Sequence, residues 1–580
     1  MFEPNWRNRI WSTLDRPRDV IIIGGGITGV GILREATRAG LDALLVEGRD
    51  FGWGTSSRSS KLVHGGLRYL KEGQFGLTRA SVRERQRLIG EGPGLIDPLG
   101  FLLAIYGGDS PGRWTFEAGL TVYDLLALHW SHKHYSAQDF QMLAPHLTPH
   151  RLSGGFRYGD AQTDDARLVL RVLQEAVLDG GEALNYVEAC GLVRNEEGHV
   201  TGVRLIDRVA AREGAVQARV VVNATGAWSD ILREELGQEP RIRPLRGSHL
   251  IFPAWRFPVA QAISFLHSID RRPVFVFPWE GITLVGTTDV DHDADLNSEP
   301  SIGPEEVAYL MAAVQAQFAP LNLTLSDIIA TFAGIRPVID SGKDDPSKES
   351  RDHVIWYESG LLTVTGGKLT TFRLIALDAL GQVQGILGEF PSSEEKQPVL
   401  DPLDPGLLRD DRLGEAARRR LLGRYGILAR NLVSVAAAGE LEAVPGTRTL
   451  WAELRWAARA EGVVHLDDLL LRRVRLGLLL EGGGSALMGS IRAICQPELG
   501  WDDPRWQEEE RRYLALWRRC YGPPDPAEIP DWLPALAAAQ AARRVESSRF
   551  RRARPVILAT GLGTLALALT WYFWRSRDEG

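Results

Sequence analysis

Cysteine is nearly absent from this chain. Cys190, Cys495 and Cys520 lie far apart and form no CxxC pair, so neither a disulfide framework nor a thiolate zinc site is indicated, and a reducing compartment fits. Basic excess is absent too: the formal net charge is −7, whereas phosphate-backbone binding needs a concentrated basic surface, so no nucleic-acid partner is expected. The N-terminus, MFEPNWRNRIWSTLDRPRD, lacks the uninterrupted apolar run of a secretory signal, and residues 1–17 read as a short amphipathic arm on a cytoplasmic body. Internal repeats are not found. What remains is ordinary: hydrophobic residues make up 44% and charged residues 24%, the balance of a folded protein. Its 580 residues are too many for one core, so two or three domains are expected.

The apolar run 20–23 enters a glycine cluster, a helical pattern starts near Thr28, and a second apolar run covers 43–46. This order predicts a βαβ unit. Residues 168–178 have helical spacing and stop at Gly180 and Gly181, and strand-like runs follow around 191–206 and 220–223, which predicts a return to the first sheet. Strand-rich, aromatic stretches at 249–252, 274–279 and 283–286 predict a second, antiparallel sheet over a substrate site. A proline-, serine- and acid-rich stretch at 391–404 marks a linker. Beyond it, 416–422, 449–460 and 466–480 alternate apolar and arginine-rich positions at helical period, predicting an all-helical domain. The expected fold class is thus α/β: a Rossmann-like dinucleotide-binding part interleaved with an antiparallel substrate part over 18–395, then a helical domain over 396–540.

Gly24, Gly26 and Gly29 form GxGxxG between a strand and a helix. The first permits the tight turn, the second lets the backbone approach a pyrophosphate, and the third allows close helix packing, with phosphate at the helix N-terminus beside Thr28. Glu47 follows Gly29 by 18 residues, at the end of the second strand, where a carboxylate can accept both adenosine ribose hydroxyls. Immediately after comes GTSSRSSKLVHGGLRYL, residues 54–70, which concentrates hydroxyls, a lysine, a histidine and paired glycines. Such a stretch offers backbone N–H groups and hydroxyls to a second phosphate and a ring edge.

This block, with GDAQTDDARLVL (159–170), VVNATGAWSD (221–230), RGSHL (246–250), VFVFPWEGITLVGTTD (274–289), AGIRP (333–337), TGGKLTTFR (365–373) and ELRWA (453–457), resembles the FAD-dependent glycerol-3-phosphate dehydrogenases among the D-amino-acid-oxidase-like flavoproteins. The blocks run in family order from about residue 18 to 480. Arg58 departs from the family pattern, which usually has a small residue there. The resemblance implies FAD as cofactor, with Thr55, Ser56, Ser57, Lys61, Leu62, His64, Gly65, Gly66, Gly226, Gly367, Leu369 and Thr370 around it, and Val187 meeting adenine through its backbone. It also implies oxidation of sn-glycerol 3-phosphate to dihydroxyacetone phosphate.

Oxidising a secondary alcohol with a flavin needs a hydride acceptor, a base for the hydroxyl proton and cations for the substrate phosphate. On the family pattern Arg68 and Arg336 form the phosphate clamp, because a guanidinium fork suits a phosphate dianion. His249 is the base candidate and His64 its rival, while Tyr69 either hydrogen-bonds substrate or fills the pocket wall. Lys368, after Gly366 and Gly367 at an expected helix N-terminus, places positive charge where reduced flavin becomes anionic. His129, His132 and His134 have a spacing open to a metal reading, but no neighbouring thiolate or carboxylate in the sequence completes a ligand set, so no metal is assigned.

Residues 555–574, PVILATGLGTLALALTWYFW, carry no charge over twenty positions and at ~1.5 Å per residue span ~30 Å, a bilayer's hydrocarbon thickness. They are expected to form a C-terminal transmembrane anchor behind a basic linker at 541–554, placing the body on the cytoplasmic face of the inner membrane. The predicted partners are therefore glycerol 3-phosphate, the lipid bilayer and a membrane quinone, with a homodimer left open. The competing readings are a glycerol-3-phosphate oxidase using oxygen, an amine or amino-acid oxidase, and a membrane-tethered flavoprotein without turnover.

Overall fold

The computed structural model describes residues 2, 5–67, 75–107, 112–128, 130–342, 349, 352–391 and 397–552, without side-chain detail for 543–552. The first sheet runs, in spatial order, through His353–Glu358, Leu361–Gly366, Arg212–Asn223, Arg18–Ile23, Ala43–Val46 and Glu182–Leu184. Of these six strands all but the His353–Glu358 edge are parallel, and Val200–Asp207 and Val187–Arg194 branch antiparallel from Arg212–Asn223. Helices Ile27–Arg38, Asp165–Leu178 and Phe372–Leu387 pack on the sheet and on one another, and the central strand is a continuous apolar run with Val20, Ile21 and Ile22 fully buried. Ile27–Arg38 packs on Phe372–Leu387, closely enough at Gly31 that a Cβ there would stand 3.1 Å from the Phe372 ring and the ring would have to give by a few tenths of an ångström. Ile23 lies level with Val46 and Asn223, so three parallel strands end together and open a crevice at their carboxyl edge.

The second sheet has ten strands, antiparallel except where Ala262–Leu266 runs beside Ile96–Tyr106. Its functional centre is Ile242–Pro253, paired with Ile282–Gly286 on one side and Ala330–Ile339 on the other.

The C-terminal part is helical, with Glu415–Tyr425, Trp451–Ala460, Met488–Leu499 and Asp503–Cys520 as its main helices. Asp502 caps the last of these by accepting the Arg505 N–H. The periodic stretch 466–480 is not one helix. A π-helical turn at Asp468–Arg473 is followed by Arg475 at φ 63 and the short helix Leu476–Leu479. The reason is electrostatic: the arginines that look like a solvated face in the sequence are buried at a domain interface. Arg473 donates from Nη1 and Nη2 to the two Asp50 oxygens at 2.6 and 2.7 Å, and Arg472 Nε adds a third bond at 2.5 Å. Burial pushes the Asp50 carboxyl up, but the two guanidiniums outweigh it and hold the pKa at about 2. The N-terminal arm joins the same region, where Arg7 of the helix Trp6–Trp11 bonds Asn185 and Asp207.

The anchor expectation is corrected. Residues 555–574 lie outside the described residues, and among the described residues no helix is long and apolar enough to cross a membrane. The final helix, Leu533–Arg552, is rich in alanine and arginine, and five arginines in its second half would each be costly in hydrocarbon. The fold class is a mixed α/β body with a helical C-terminal domain, and the inner-membrane placement built on a single-pass anchor is withdrawn.

Candidate active site

A cleft of about 850 Å³ opens at the carboxyl edge of the parallel sheet. It is lined by Gly24, Gly26, Thr28 and Glu47 of the glycine-led βαβ unit, by Thr55, Ser56 and Gly226, and by Gly367, Lys368 and Leu369. The glycines are required by contact. Gly24 sits at φ +112 with its missing Cβ 2.6 Å from the Ala224 carbonyl oxygen, and a Cβ on Gly29 would lie 1.9 Å from the Gly24 oxygen. Glu47 accepts the Gly25 N–H at 2.6 Å on Oε2 and the Arg49 N–H at 2.8 Å on Oε1, which leaves a lone pair on each oxygen for a ribose diol. Burial raises the Glu47 pKa above the usual carboxylate value, partly offset by those two N–H donors. Ser56 Oγ accepts the Ile27 N–H at 2.9 Å, bringing a hydroxyl to the start of the glycine-led helix. A carboxylate for a ribose, a helix N-terminus for a pyrophosphate and a lysine beside the far ring are the donor set that FAD needs, and the residues fit it.

The flavin loop is fixed by charge. Lys61 Nζ is buried between Asp165, at 3.0 Å, and the Ser57 carbonyl, at 3.1 Å. Burial followed by the nearby Arg475 lowers the Lys61 pKa to about 8 despite Asp165. Arg475 Nη2 also donates to the Ser57 carbonyl, at 2.8 Å. Lys61 and Ser57 therefore hold the loop rather than line the cleft. Leu62 lies in the core, the Gly65 N–H is bonded to Tyr123 at 2.9 Å, and Gly66 takes φ +76. The His64 carbonyl accepts the Thr370 hydroxyl at 3.3 Å. Val187 is buried and gives its N–H to the Glu47 carbonyl at 2.8 Å. Arg58, the departure from the family pattern, is buried against Glu299, Tyr521 and the Trp53 ring. Gly334 makes room for it, since a Cβ there would meet the Arg58 oxygen at 2.4 Å.

Behind this loop, one face of the second sheet brings together the candidate residues His249 and Arg336. His249 stands opposite Phe332, Gly247 opposite Gly334, and Leu245 opposite Arg336, so all six share a face. Two glycine gaps shape it. A Cβ at Gly286 would lie 2.2 Å from the His249 ring, and one at Gly247 would lie 2.1 Å from the Arg336 guanidinium. The imidazole stacks on Phe332 with centroids 4.4 Å apart. It is held neutral well below 6.5 by burial first, then by Arg336 and Lys61. Arg336 donates to Asp289 and Thr287, each at 3.0 Å, and to the Thr288 carbonyl at 3.3 Å.

Arg68, Tyr69 and His129 lie outside the described residues. His132 bonds Asp124 at 2.6 Å, whereas His134 packs edge-on to Phe156. Among the described residues no group of acidic, histidine or cysteine side chains is placed to hold a metal. Sequence reading missed Ser60, bonded to His249 at 2.9 Å, and Asp289, which braces Arg336. It also missed His465, Asp467 and Arg512 of the helical domain on the cleft wall. Gly247 and Gly286, inside the quoted blocks, were the available signal for the substrate face.

A sequence model of the FAD-dependent oxidoreductase family matches residues 19–373, and one of the C-terminal domain of alpha-glycerophosphate oxidase matches residues 401–506. The aerobic glycerol-3-phosphate dehydrogenase of Staphylococcus aureus (strain USA300) is 35% identical over 480 residues, covering 78% of this chain and 86% of its own. The FAD-complexed glycerol-3-phosphate dehydrogenase of Bacillus halodurans superposes with a TM-score of 0.71 at 28% identity, over 90% of this chain and 98% of that one. An L-alpha-glycerophosphate oxidase from Mycoplasma pneumoniae, with FAD bound, shares the fold at TM-score 0.54 and 16% identity, over 67% of this chain and 99% of its own. The cleft geometry and these likenesses agree: the chain belongs to the FAD-dependent oxidoreductase family, in its glycerol-3-phosphate dehydrogenase branch, and FAD is its cofactor.

Proposed function

We propose that this chain oxidises sn-glycerol 3-phosphate to dihydroxyacetone phosphate and passes the electrons to a quinone. Bound FAD supplies the hydride acceptor. The observation that carries the reading is the shared sheet face on which a neutral imidazole, His249, and a braced guanidinium, Arg336, flank a glycine gap. A neutral imidazole is the form able to accept the hydroxyl proton. A guanidinium fork held open by Asp289 and Thr287 suits a phosphate dianion. In this reading Arg68 and Tyr69 complete the substrate contacts, and Lys368 supplies positive charge at the flavin end of the cleft.

Two tests separate this reading from its rivals. Anaerobic addition of glycerol 3-phosphate should bleach the oxidised-flavin band near roughly 450 nm. A protein that keeps its flavin colour under excess substrate does not perform the reaction. The specific rival is an oxidase, favoured by the oxidase name of the family model on 401–506. The dehydrogenase relatives at 35% identity favour an acceptor other than oxygen. Reoxidation of the reduced protein should be faster with a short-chain quinone than with dissolved oxygen, and the reverse order would assign an oxidase.

A further inference from the structure

Among the described residues, His249 hydrogen-bonds one side chain. Its Nε2 lies 2.9 Å from Ser60 Oγ, while Nδ1 is buried and has no hydrogen-bond partner among the described residues. The residue as a whole is 1% exposed, whereas Ser60 is half-buried. The ring is closed off by Phe332 on one face and by the backbone at Gly286, and the charged groups acting on it, Arg336 and Lys61, are both cationic. Among the described residues, a proton reaching this imidazole therefore has one hydrogen-bonded approach, through Ser60.

We propose that Ser60 is a catalytic residue, relaying the substrate's hydroxyl proton to Nε2 of His249. The inference rests on the reading of His249 as the base. The bonds balance as follows: the substrate O–H breaks as an O–H forms on Ser60 Oγ, and the original Ser60 O–H breaks as an N–H forms at His249 Nε2. The C2–H electron pair leaves as hydride to the bound FAD, the oxidant already assigned. The relay requires the resting ring to carry its proton on Nδ1, leaving the Nε2 lone pair toward Ser60.

The position of Ser60 is set by its neighbours. Ser59 gives both its N–H and its hydroxyl to Asp165, at 2.9 and 2.8 Å, and Lys61 Nζ reaches the same carboxylate at 3.0 Å. Arg475 from the helical domain meets Asp165 at 3.1 Å. The hydroxyl thus sits on a loop clamped on both sides, the preorganisation that a relay needs.

The test is anaerobic flavin reduction by glycerol 3-phosphate in mixtures of light and heavy water. Two protons in flight give the wild-type protein a curved dependence of rate on deuterium fraction. S60A should keep its flavin, reduce it roughly 10²-fold more slowly, the usual scale for losing a proton-transfer group, and give a straight line. S60T, which retains a hydroxyl, should recover rate and curvature. In 15N-histidine spectra, the His249 signal, assigned by its loss in H249N, should show the Nδ1–H form, and S60A should shift Nε2. A wild-type rate in S60A, or a straight line in the wild type, would overturn the relay. H249N distinguishes the two ideas: if it reduces flavin at the wild-type rate the base reading itself fails, and if it is slow while S60A is not, only the relay falls.

Discussion

The cleft and the second-sheet face with its proposed catalytic groups are built from different materials. At the proposed adenosine end of the cleft the fit comes from backbone: glycines that admit another main chain, amides at a helix start, and one carboxylate whose geometry is set by the Gly25 and Arg49 N–H groups. At the proposed substrate face it comes from side chains, His249, Ser60 and Arg336, standing over glycine gaps on a sheet. Backbone sites fail as a whole when a Cβ intrudes, because the chain cannot move without unpairing its hydrogen bonds. Side-chain sites fail one function at a time.

That contrast can be broken at four places, in order of effect. Gly29→Ala puts a Cβ on the Gly24 carbonyl, where 1.9 Å is available. Purified protein should contain almost no FAD by absorbance, and normal flavin content would refute the backbone account. Gly286→Ala should displace the His249 ring, 2.2 Å from the added carbon. Anaerobic stopped-flow should then show flavin reduction slowed roughly 10²-fold at full flavin content. Arg336→Lys keeps the charge and forfeits the two-pronged donor, so KM for glycerol 3-phosphate should rise about 10-fold with FAD retained. The smallest effect concerns pH. His249 has its folded pKa depressed well below 6.5, by burial first and then by Arg336 and Lys61, so it stays neutral as pH falls through 6.5. The reduction rate should change less than about twofold between pH 8 and 6.5. The sign for stability follows: folding disfavours the ring proton, so the contribution is full above the unfolded pKa and declines as pH drops below about 6.5. A rate that already halves between pH 7.5 and 6.5 would place a different group in the role.

Much of the adenosine end was legible in the sequence because its determinants are local. GxGxxG and Glu47 fall within one βαβ unit, and strand Arg18–Ile23 and helix Ile27–Arg38 form where the apolar periodicity puts them. The antiparallel stretches around 249, 276 and 284 were legible for the same reason. Ser60 and Asp289 were not, since their roles arise from strand register and loop docking across 189 and 47 residues of chain. The stretch 466–480 was legible as helical but not as an interface, because an arginine at helical spacing looks the same on a solvated face and on a buried one. Arg472 and Arg473 meet their carboxylate from more than 400 residues away, a distance that periodicity does not register. The uncharged tail at 555–574 shows the opposite limit: length and hydropathy describe a segment that could span a bilayer, while none of the described helices does so.

Asp50 follows Glu47, the proposed ribose ligand, by three positions, yet its charge is neutralised by arginines of the helical domain. That wiring bears on how the molecule can be cut or recombined. A fragment ending in the proline-rich linker would leave a carboxylate buried without its countercharge, and losing one partner of such a pair costs about 3–5 kcal/mol. The damage would fall on the turn that carries Glu47. The helical domain is therefore not a detachable module, and exchanging it between relatives requires moving the Asp50 turn with it as one unit of inheritance.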